Sequence, residues 1–350
     1  MTRATWGGRI HGFPEVTLLS HSRLIAVVAA PLALLAALLA PTTPAQAAGE
    51  SYVALGDSYA SGTGTRSYIS DGTSCQRSTY AYPKLIAAQK SYSLNFQACS
   101  GATIPTVTNN QIGALSSTTR FVTVSVGGND AGFSSVLTEC AKPGWMSNCN
   151  GKIDTAQSFI NNTLPGRLST LYSSIRSRAT VAKVVVVGYP RIFNGEDCNA
   201  GTWFSPSEQT RLNQTADLLN DRTRTQAVNK GFSFANPTSR FIGHAVCDDP
   251  EWINGLSNPV SESYHPNRPG HSSGYTPTVS PLLTGATLKV TGATRDKARA
   301  SADQQAALQR GYAAEDAQIG PERFVKPDLT TPEARAAARR AGVDIRDYLG

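Results

Sequence analysis

The chain has 350 residues, of which 16% are charged and 40% are hydrophobic, and its formal net charge is +7. Its charges are scattered and no basic block is interleaved with aromatic residues, so we do not expect nucleic-acid binding. The length is sufficient for one good-sized α/β core with additional segments.

The first 47 residues differ in composition from the rest of the chain. Arg23 precedes an uncharged run of 17 residues, Leu24–Ala40, which is followed by an Ala-Gln-Ala sequence at 45–47. A basic flank, a short apolar run and a small-residue site are typical of a secretory signal peptide. A transmembrane anchor is the alternative, but the run is short and contains Pro31. We therefore predict that residues 1–47 are a signal peptide and that the protein is secreted.

Strand-like and helix-like stretches alternate along the chain after the signal peptide. The predicted strands are Tyr52–Leu55, Leu94–Ala98, Phe121–Val126, Ala182–Tyr189 and Phe232–Asn236. The predicted helices are Tyr82–Lys90, a long region over 153–175 that Pro165 should kink or split, one capped by Ser205 and Glu208, and a short final helix after His265. This alternation predicts an α/β fold, a three-layer α/β/α sandwich with a mostly parallel central sheet.

The sequence changes character after about residue 285. Residues 286–350 contain no cysteine and few aromatic residues, but many Ala, Arg, Asp and Gln residues. Two stretches there could form exposed helices, yet they have little apolar surface to bury. We predict one folded domain over 48–285 and a flexible or loosely helical appendage over 286–350, with a cell-wall-binding or partner-binding segment as the alternative.

Six cysteines remain in the predicted exported chain, and an even number in that compartment favours three disulfides. Six cysteines allow 15 pairings, of which the sequential one is the simplest. Zinc binding is the competing interpretation, but there is no C-x-x-C pair and histidine is scarce, so no metal is expected. The sequential pairs are Cys75–Cys99, Cys140–Cys149 and Cys198–Cys247.

Three residues with a hydroxyl, a backbone N–H or an amide suited to acyl transfer follow three successive predicted strands. Ser58 follows the first strand, Gly101 the second and Asn129 the third, while His265 precedes a proline-started helix. The carboxyl ends of parallel strands meet at one edge of the sheet. Ester hydrolysis by a serine needs a hydroxyl, a base of near-neutral pKa and donors aimed at the developing oxyanion. Each residue alone also fits a turn or cap, but together they favour a hydrolase site.

The stretches GDSYASG, CSGAT, VGGNDAGF and YHPNRPGH resemble, as a set, the four sequence blocks of the SGNH or GDSL-type hydrolase superfamily. The resemblance covers about Ser51 to Leu283 and is greatest to the secreted actinomycete lipases and esterases, although Tyr59 replaces the leucine of the family's name. It implies a flavodoxin-like fold and a secreted serine esterase or lipase that cleaves fatty-acyl esters through an acyl-serine intermediate. It also implies a small-molecule or lipid ester substrate, no cofactor, transient contact with a lipid interface and a monomeric state.

The resemblance also implies a role for each motif residue. Ser58 is the expected nucleophile, and its N–H joins the Gly101 N–H and the Asn129 amide in the oxyanion hole. His265 is the expected general base and then the acid for the leaving alcohol. Family members commonly place an aspartate three residues before the histidine, where this chain has Glu262. Two alternatives stay open, a triad through the Glu262 carboxylate or a dyad in which the Glu262 backbone carbonyl orients the ring, and we favour the dyad.

Two acidic residues and one further histidine lie close to these motifs in sequence. A carboxylate beside the oxyanion would oppose its charge, so we predict that Asp57 and Asp130 brace loops through backbone N–H groups. His271 lies one and a half helical turns beyond His265 and should point away from the site. Apolar residues near the motifs could line an acyl groove or pack in the core, namely Ile104, Phe133, Leu137 and Trp145.

Two other functions fit the same sequence. One is a deacetylase of polysaccharides or cell-wall sugars, which would use the same serine chemistry on a smaller acyl group. The other is a catalytically silent binding protein that keeps the hydrolase scaffold.

Overall fold

Five parallel strands form the central sheet. The computed structural model describes residues 49–320 and 323–349, so the predicted signal peptide lies outside the described residues. The strands lie in the order β2-β1-β3-β4-β5, the order of flavodoxin-like folds, and the predicted mostly parallel sheet is confirmed. The strands are Ser51–Gly56 (β1), Ser93–Phe96 (β2), Phe121–Ser125 (β3), Lys183–Val187 (β4) and Ser233–Ala235 (β5).

Helices cover both faces of this sheet. Tyr82–Lys90 packs against Thr276–Thr284, and Leu164–Arg178 packs against Pro206–Asn229. In the parts of the chain that the structure describes, no helix combines the length and the apolarity needed to cross a membrane. The other helices are Ser58–Ser61, Ile104–Thr106, Phe133–Cys140, Cys149–Asn162, Gly292–Ala300, Ala302–Arg310, Ala313–Asp316 and Pro332–Ala341.

The central strands are apolar because helices bury them on both sides. In β4 the four residues after Lys183 are valines that are all at most 3% exposed. β1 ends at Gly56, which has φ 129°, and a Cβ there would lie 2.3 Å from the Ser125 carbonyl oxygen. Only glycine therefore allows β1 to approach β3 this closely at the edge where the two strands end.

Local sequence signals explain where two long helices begin. The predicted helical region over 153–175 is split at Thr163, two residues before Pro165, as expected from the missing N–H of proline. Ser205 and Glu208 form the predicted capping box: the Glu208 N–H donates to Ser205 Oγ at 3.3 Å, and the Ser205 N–H donates to Glu208 Oε2 at 2.9 Å. Such a cap stabilises a helix by about 0.5–2 kcal/mol.

All three predicted disulfides are present, with the sequential pairing. Cys75–Cys99 joins the loop after the first helix to the segment that follows β2. Cross-links of this kind typically stabilise a fold by about 2–4 kcal/mol. The bridge at Cys99 also restrains the chain two residues before Gly101.

The described residues after 285, namely 286–320 and 323–349, bury more of their side chains than the sequence predicts. Gln305 and Gln309 are buried against the edge strand β2, where Gln309 Oε1 accepts the Phe96 N–H at 3.1 Å and Gln305 Nε2 donates to the Leu94 carbonyl at 3.2 Å. These side chains satisfy backbone groups that an edge strand otherwise leaves open. This segment also buries apolar side chains such as Ile319 and Phe324, whereas the sequence predicts that it has little apolar surface to bury.

Candidate active site

Ser58 stands at the end of β1, on the first residue of a one-turn helix, Ser58–Ser61. The preceding residue, Asp57, caps this helix: its side chain accepts the Tyr59 N–H at 3.0 Å. The Asp57 N–H donates to the Ser125 carbonyl at 3.0 Å, which attaches the turn to β3. The sharp passage from strand to helix leaves the serine hydroxyl at the carboxyl edge of the sheet, where parallel sheets bind ligands.

His265 lies within hydrogen-bond distance of this serine. Its Nε2 is 2.8 Å from Ser58 Oγ, and its Nδ1 is 2.9 Å from the Ser263 carbonyl oxygen. A carbonyl can only accept, so Nδ1 carries the hydrogen of the neutral ring and Nε2 is left as the acceptor for the serine proton. Burial of the ring lowers the pKa of His265 from 6.5 to about 4, although the Ser263 carbonyl opposes this shift.

Glu262 does not orient the imidazole, by either of the two predicted routes. Its carboxylate accepts the Tyr68 hydroxyl at 2.5 Å and lies 3.6 Å from Arg66 Nε. Its backbone carbonyl accepts Asn254 Nδ2 at 3.3 Å. The predicted dyad geometry is present, but the carbonyl belongs to the next residue, Ser263. Tyr264 has φ 60°, and this left-handed residue turns the chain so that the carbonyl two residues before the histidine faces the ring.

The predicted oxyanion donors are on segments beside Ser58: Asn129 lines the same cleft, and the Gly101 segment is bonded to the serine turn. Among the described residues, neither the Ser58 N–H nor the Gly101 N–H has a hydrogen-bond acceptor, and Gly101 has φ 87°. The Cys99 N–H donates to the Gly56 carbonyl at 2.9 Å, which places the Gly101 loop beside the serine turn. Asn129 Nδ2 donates to the Ala102 carbonyl at 2.9 Å, and the amide has a second hydrogen for a substrate oxygen.

Tyr189 links the loops that carry Ser58 and Asn129. Its hydroxyl donates to Asp57 Oδ2 at 2.5 Å and accepts the Gly128 N–H at 3.3 Å. Burial raises the pKa of Asp57 from 3.8 to about 7, with the Tyr189 hydrogen bond acting in the opposite direction. Tyr189 is not among the predicted site residues, although its position at the end of the fourth predicted strand, Ala182–Tyr189, puts it at the same edge of the sheet.

Asp130 and His271 have the surroundings that the sequence predicts. Asp130 Oδ2 accepts the Ile104 N–H at 2.9 Å, so this carboxylate braces the loop after Gly101, as Asp57 braces the serine turn. Burial raises the pKa of Asp130. His271 is buried, and its Nδ1 accepts the Tyr82 N–H at 3.3 Å, away from the Ser58 hydroxyl.

A largely apolar cleft is lined by Ser58, Asn129 and His265 together with residues of the surrounding helices. Two of the four predicted groove residues, Phe133 and Leu137, line it. Ile104 and Trp145 do not: Ile104 is buried in the core, and the Trp145 ring packs on Tyr348 with centroids 5.5 Å apart. The cleft walls come mainly from helices, with Ala156, Ile160, Leu212, Ala216 and Leu219 among the lining residues.

We expect Asn129→Ala to lower kcat by about 10²–10³-fold, the usual cost of losing one oxyanion donor. The loss should appear in kcat rather than in KM, because the donor acts on charge that develops in the transition state. Asn129→Asp should lose at least as much, since it keeps the size of the side chain but removes both N–H donors and places a negative charge beside the oxyanion. An Asn129→Asp enzyme with near wild-type kcat on p-nitrophenyl butyrate would contradict the assignment.

A family comparison matches the chain over residues 54–272 to the GDSL-like Lipase/Acylhydrolase family. The chain is 43% identical over 237 residues to "Lipase 1" of Streptomyces coelicolor, an alignment that covers 67% of this chain and 87% of the relative. The matched region of this chain, residues 54–272, contains all four motifs and the Ser58–His265 pair.

Two solved structures share the fold at similar identity. One is a phospholipase A1 from Streptomyces albidoflavus, with 41% identity and a TM-score of 0.64. The other is an extracellular lipase from Streptomyces rimosus, with 40% identity and a TM-score of 0.64. In both cases 67% of this chain covers 100% of the solved chain. The chain therefore belongs to the GDSL-like lipase/acylhydrolase family, the SGNH hydrolases that its four motifs predict.

Proposed function

We propose that the protein is a secreted lipase or esterase that hydrolyses fatty-acyl esters through an acyl-serine intermediate. Its family makes it a carboxylic ester hydrolase. The observation that carries the finer proposal is the 2.8 Å contact between Ser58 Oγ and His265 Nε2 at the mouth of an apolar cleft. A hydroxyl, a base with its acceptor nitrogen free and an apolar cleft are what acyl transfer from a fatty ester needs.

The proposed reaction uses the same residues in both of its halves. His265 Nε2 takes the Ser58 proton as Oγ attacks the ester carbonyl, and the Ser58, Gly101 and Asn129 donors bind the oxyanion. The imidazolium then protonates the leaving alcohol, and the C–O bond breaks to leave the acyl-serine. Water then attacks the acyl carbonyl while His265 takes one of its protons. The second oxyanion collapses, the bond between the acyl carbon and Ser58 Oγ breaks, and the imidazolium returns its proton to Oγ as the acid leaves.

Secretion is supported by the three disulfides and by the predicted signal peptide. The bridges favour an oxidising compartment, because disulfides are rare where thiols are kept reduced. A monomeric state and transient contact with a lipid surface belong to the same proposal. Size-exclusion chromatography and binding to phosphatidylcholine vesicles would test these two features.

A series of acyl chains tests the substrate class. We expect p-nitrophenyl esters with acyl chains of about eight or more carbons to give a higher kcat/KM than p-nitrophenyl acetate. Each methylene placed in an apolar cleft adds binding energy. Ala156→Leu, which adds bulk to the cleft wall, should lower the ratio of long-chain to acetyl activity by roughly tenfold. Ala227→Leu is the matched control, since Ala227 is buried in a helix but is not among the residues that line the cleft.

Other substrates, compared with this series, separate the alternative functions. Faster hydrolysis of acetylated xylan or chitin than of long-chain esters would replace the proposal with a deacetylase. Well-folded protein that hydrolyses no ester and takes up no fluorophosphonate would favour a silent binding protein. Hydrolysis of a phosphatidylcholine compared with that of a triacylglycerol would identify the preferred leaving group.

A further inference from the structure

The C-terminal extension, defined here as residues 286–349, lies beyond residue 272, where the match to the family ends. It nevertheless contributes buried side chains to the domain, including Ile319 and Phe324, which belong to the main hydrophobic core. Two of its side chains are joined to the catalytic motifs: Asp316 binds Arg77, which binds carbonyls just before the CSGAT motif, and Phe324 contacts Tyr264, the first residue of the YHPNRPGH motif. They are eight positions apart in the chain, but Asp316 is joined to the segment that carries Gly101 and Phe324 to the segment that carries His265.

Asp316 is joined to the oxyanion half of the site through Arg77. The Asp316 carboxylate accepts two hydrogen bonds from the buried Arg77 guanidinium, at 2.7 and 2.8 Å. The same guanidinium donates to the backbone carbonyls of Gln97 and Ala98, at 3.3 and 3.0 Å, and to Asp71 at 2.9 Å. Arg77 therefore holds the chain segment that ends at Gly101, and Asp316 supplies half of its carboxylate partners.

Phe324 is joined to the histidine half of the site through Tyr264. The two rings pack edge to face, with centroids 4.9 Å apart, and Phe324 is buried. Tyr264 is the residue with φ 60° between Ser263, whose carbonyl holds the imidazole, and His265. A left-handed residue with a large side chain is strained, and it persists only where its surroundings determine its conformation.

Other contacts also hold Tyr264, but none of them replaces the ring of Phe324. The Tyr264 carbonyl accepts the Tyr59 hydroxyl at 2.7 Å, and its N–H donates to the Asn254 carbonyl at 2.9 Å. Its ring also packs on Phe193 and Phe204, at 5.9 and 5.7 Å between centroids. The Phe324 ring is the nearest of these three rings to Tyr264, so its removal would take away the closest aromatic contact of the strained residue.

We propose that Asp316 and Phe324 are positioning residues through which the C-terminal extension holds the Gly101 loop and the His265 loop in their catalytic geometry. This inference rests on the proposed hydrolase function. It makes the extension part of the catalytic unit, although it lies outside the family match. Neither residue lines the cleft, so both act on the reacting groups through Arg77 and Tyr264 rather than on the substrate.

The test is a comparison of kcat and KM on p-nitrophenyl butyrate, per active site titrated with a fluorophosphonate. We expect Phe324→Ala to lower kcat by roughly 10- to 100-fold, since small misplacements of catalytic groups have effects of this size. KM should stay within about threefold. Phe324→Leu, which keeps most of the bulk, should recover much of the loss. Tyr348→Ala is the matched control, because it removes a ring that packs on Trp145 and Trp203 instead.

The Asp316 contact is tested in the same assay. We expect Asp316→Asn to lower kcat several-fold and Asp316→Glu to lose less, because only the glutamate keeps the charge beside Arg77. Asp344→Asn, which breaks an ion pair with Arg346 on the surface of the extension, should leave kcat unchanged.

Wild-type kcat per active site in both Phe324→Ala and Asp316→Asn, or a change confined to KM, would overturn the inference. If Phe324→Ala does not fold, Asp316→Asn decides: a lowered kcat per active site supports the proposal, and an unchanged one overturns it. An inactive wild-type enzyme would instead contradict the proposed function, so the two failures are distinguishable.

Discussion

Ser58→Ala is expected to lower kcat by at least about 10⁴-fold and to abolish labelling by a fluorophosphonate probe. The alanine removes the only atom that can form the acyl bond in the proposed mechanism. Activity above the uncatalysed rate should remain, because the oxyanion donors and the cleft still bind the ester while water attacks slowly. Turnover of p-nitrophenyl butyrate and in-gel detection of the probe measure the two effects on the same samples.

The control for this experiment is a second serine in the same cleft. Ser134 lines the cleft and is buried, so Ser134→Ala should keep the label that Ser58→Ala loses. Ser58 is itself buried at the start of a capped helix, and alanine is a good helix former, so the variant should keep its Tm within a few degrees. Labelling of a folded Ser58→Ala protein would show that another residue is the nucleophile.

The sequence was sufficient to predict features that depend on local pattern. The five strands, the split at Thr163 and the Ser205 cap follow from periodicity and from proline or capping chemistry, which act within a few residues. The position of Ser58, Gly101 and Asn129 at one edge follows from topology, since residues after neighbouring parallel strands reach the same edge of the sheet. The pairing of His265 with Ser58 is implied only by the family resemblance. The disulfide pairing was predicted because few cysteines were present and the sequential pairs were the simplest.

The remaining features depend on contacts between distant residues. The acceptor for the His265 Nδ1 hydrogen is the Ser263 carbonyl because Tyr264 has a positive φ. The amino-acid sequence around Glu262 does not indicate that backbone conformation. The contact is one between backbone and side chain, so no residue type identifies it. Side-chain pattern alone could predict a dyad but could not select the correct carbonyl.

The burial of the C-terminal extension could not be predicted for a different reason. Hydrophobic patterning measures apolar burial, whereas Gln305 and Gln309 are buried by hydrogen bonds to a strand edge more than 200 residues away in sequence. Asp316 is buried because Arg77 is buried opposite it. Polar burial is favourable only with a partner, and the partner is not local. A segment rich in Gln, Asp and Ala therefore resembles an exposed one until its contacts are known.

His265→Ala is expected to lower kcat about as much as Ser58→Ala, because an unassisted serine hydroxyl is a poor nucleophile at neutral pH. In the wild-type enzyme, kcat/KM should fall only as the pH drops towards about 4, the pKa to which burial lowers the imidazole. The sign follows from the role of the ring: protonated Nε2 cannot accept the serine proton, so activity is present above this pKa and lost below it. Rates measured directly after a pH jump would separate this loss from acid unfolding.

Glu262→Gln is the control that separates the dyad from a triad. The Glu262 carboxylate contacts Tyr68 and Arg66 and does not contact the imidazole, so kcat should stay within about threefold of wild type. The acid limb of the pH profile should also keep its position, because the Ser263 carbonyl still holds the Nδ1 hydrogen. A thousand-fold loss in Glu262→Gln would require a carboxylate on the histidine and would contradict the dyad. An acid limb near pH 6.5 in the wild type would show instead that the ring is solvated in the working enzyme.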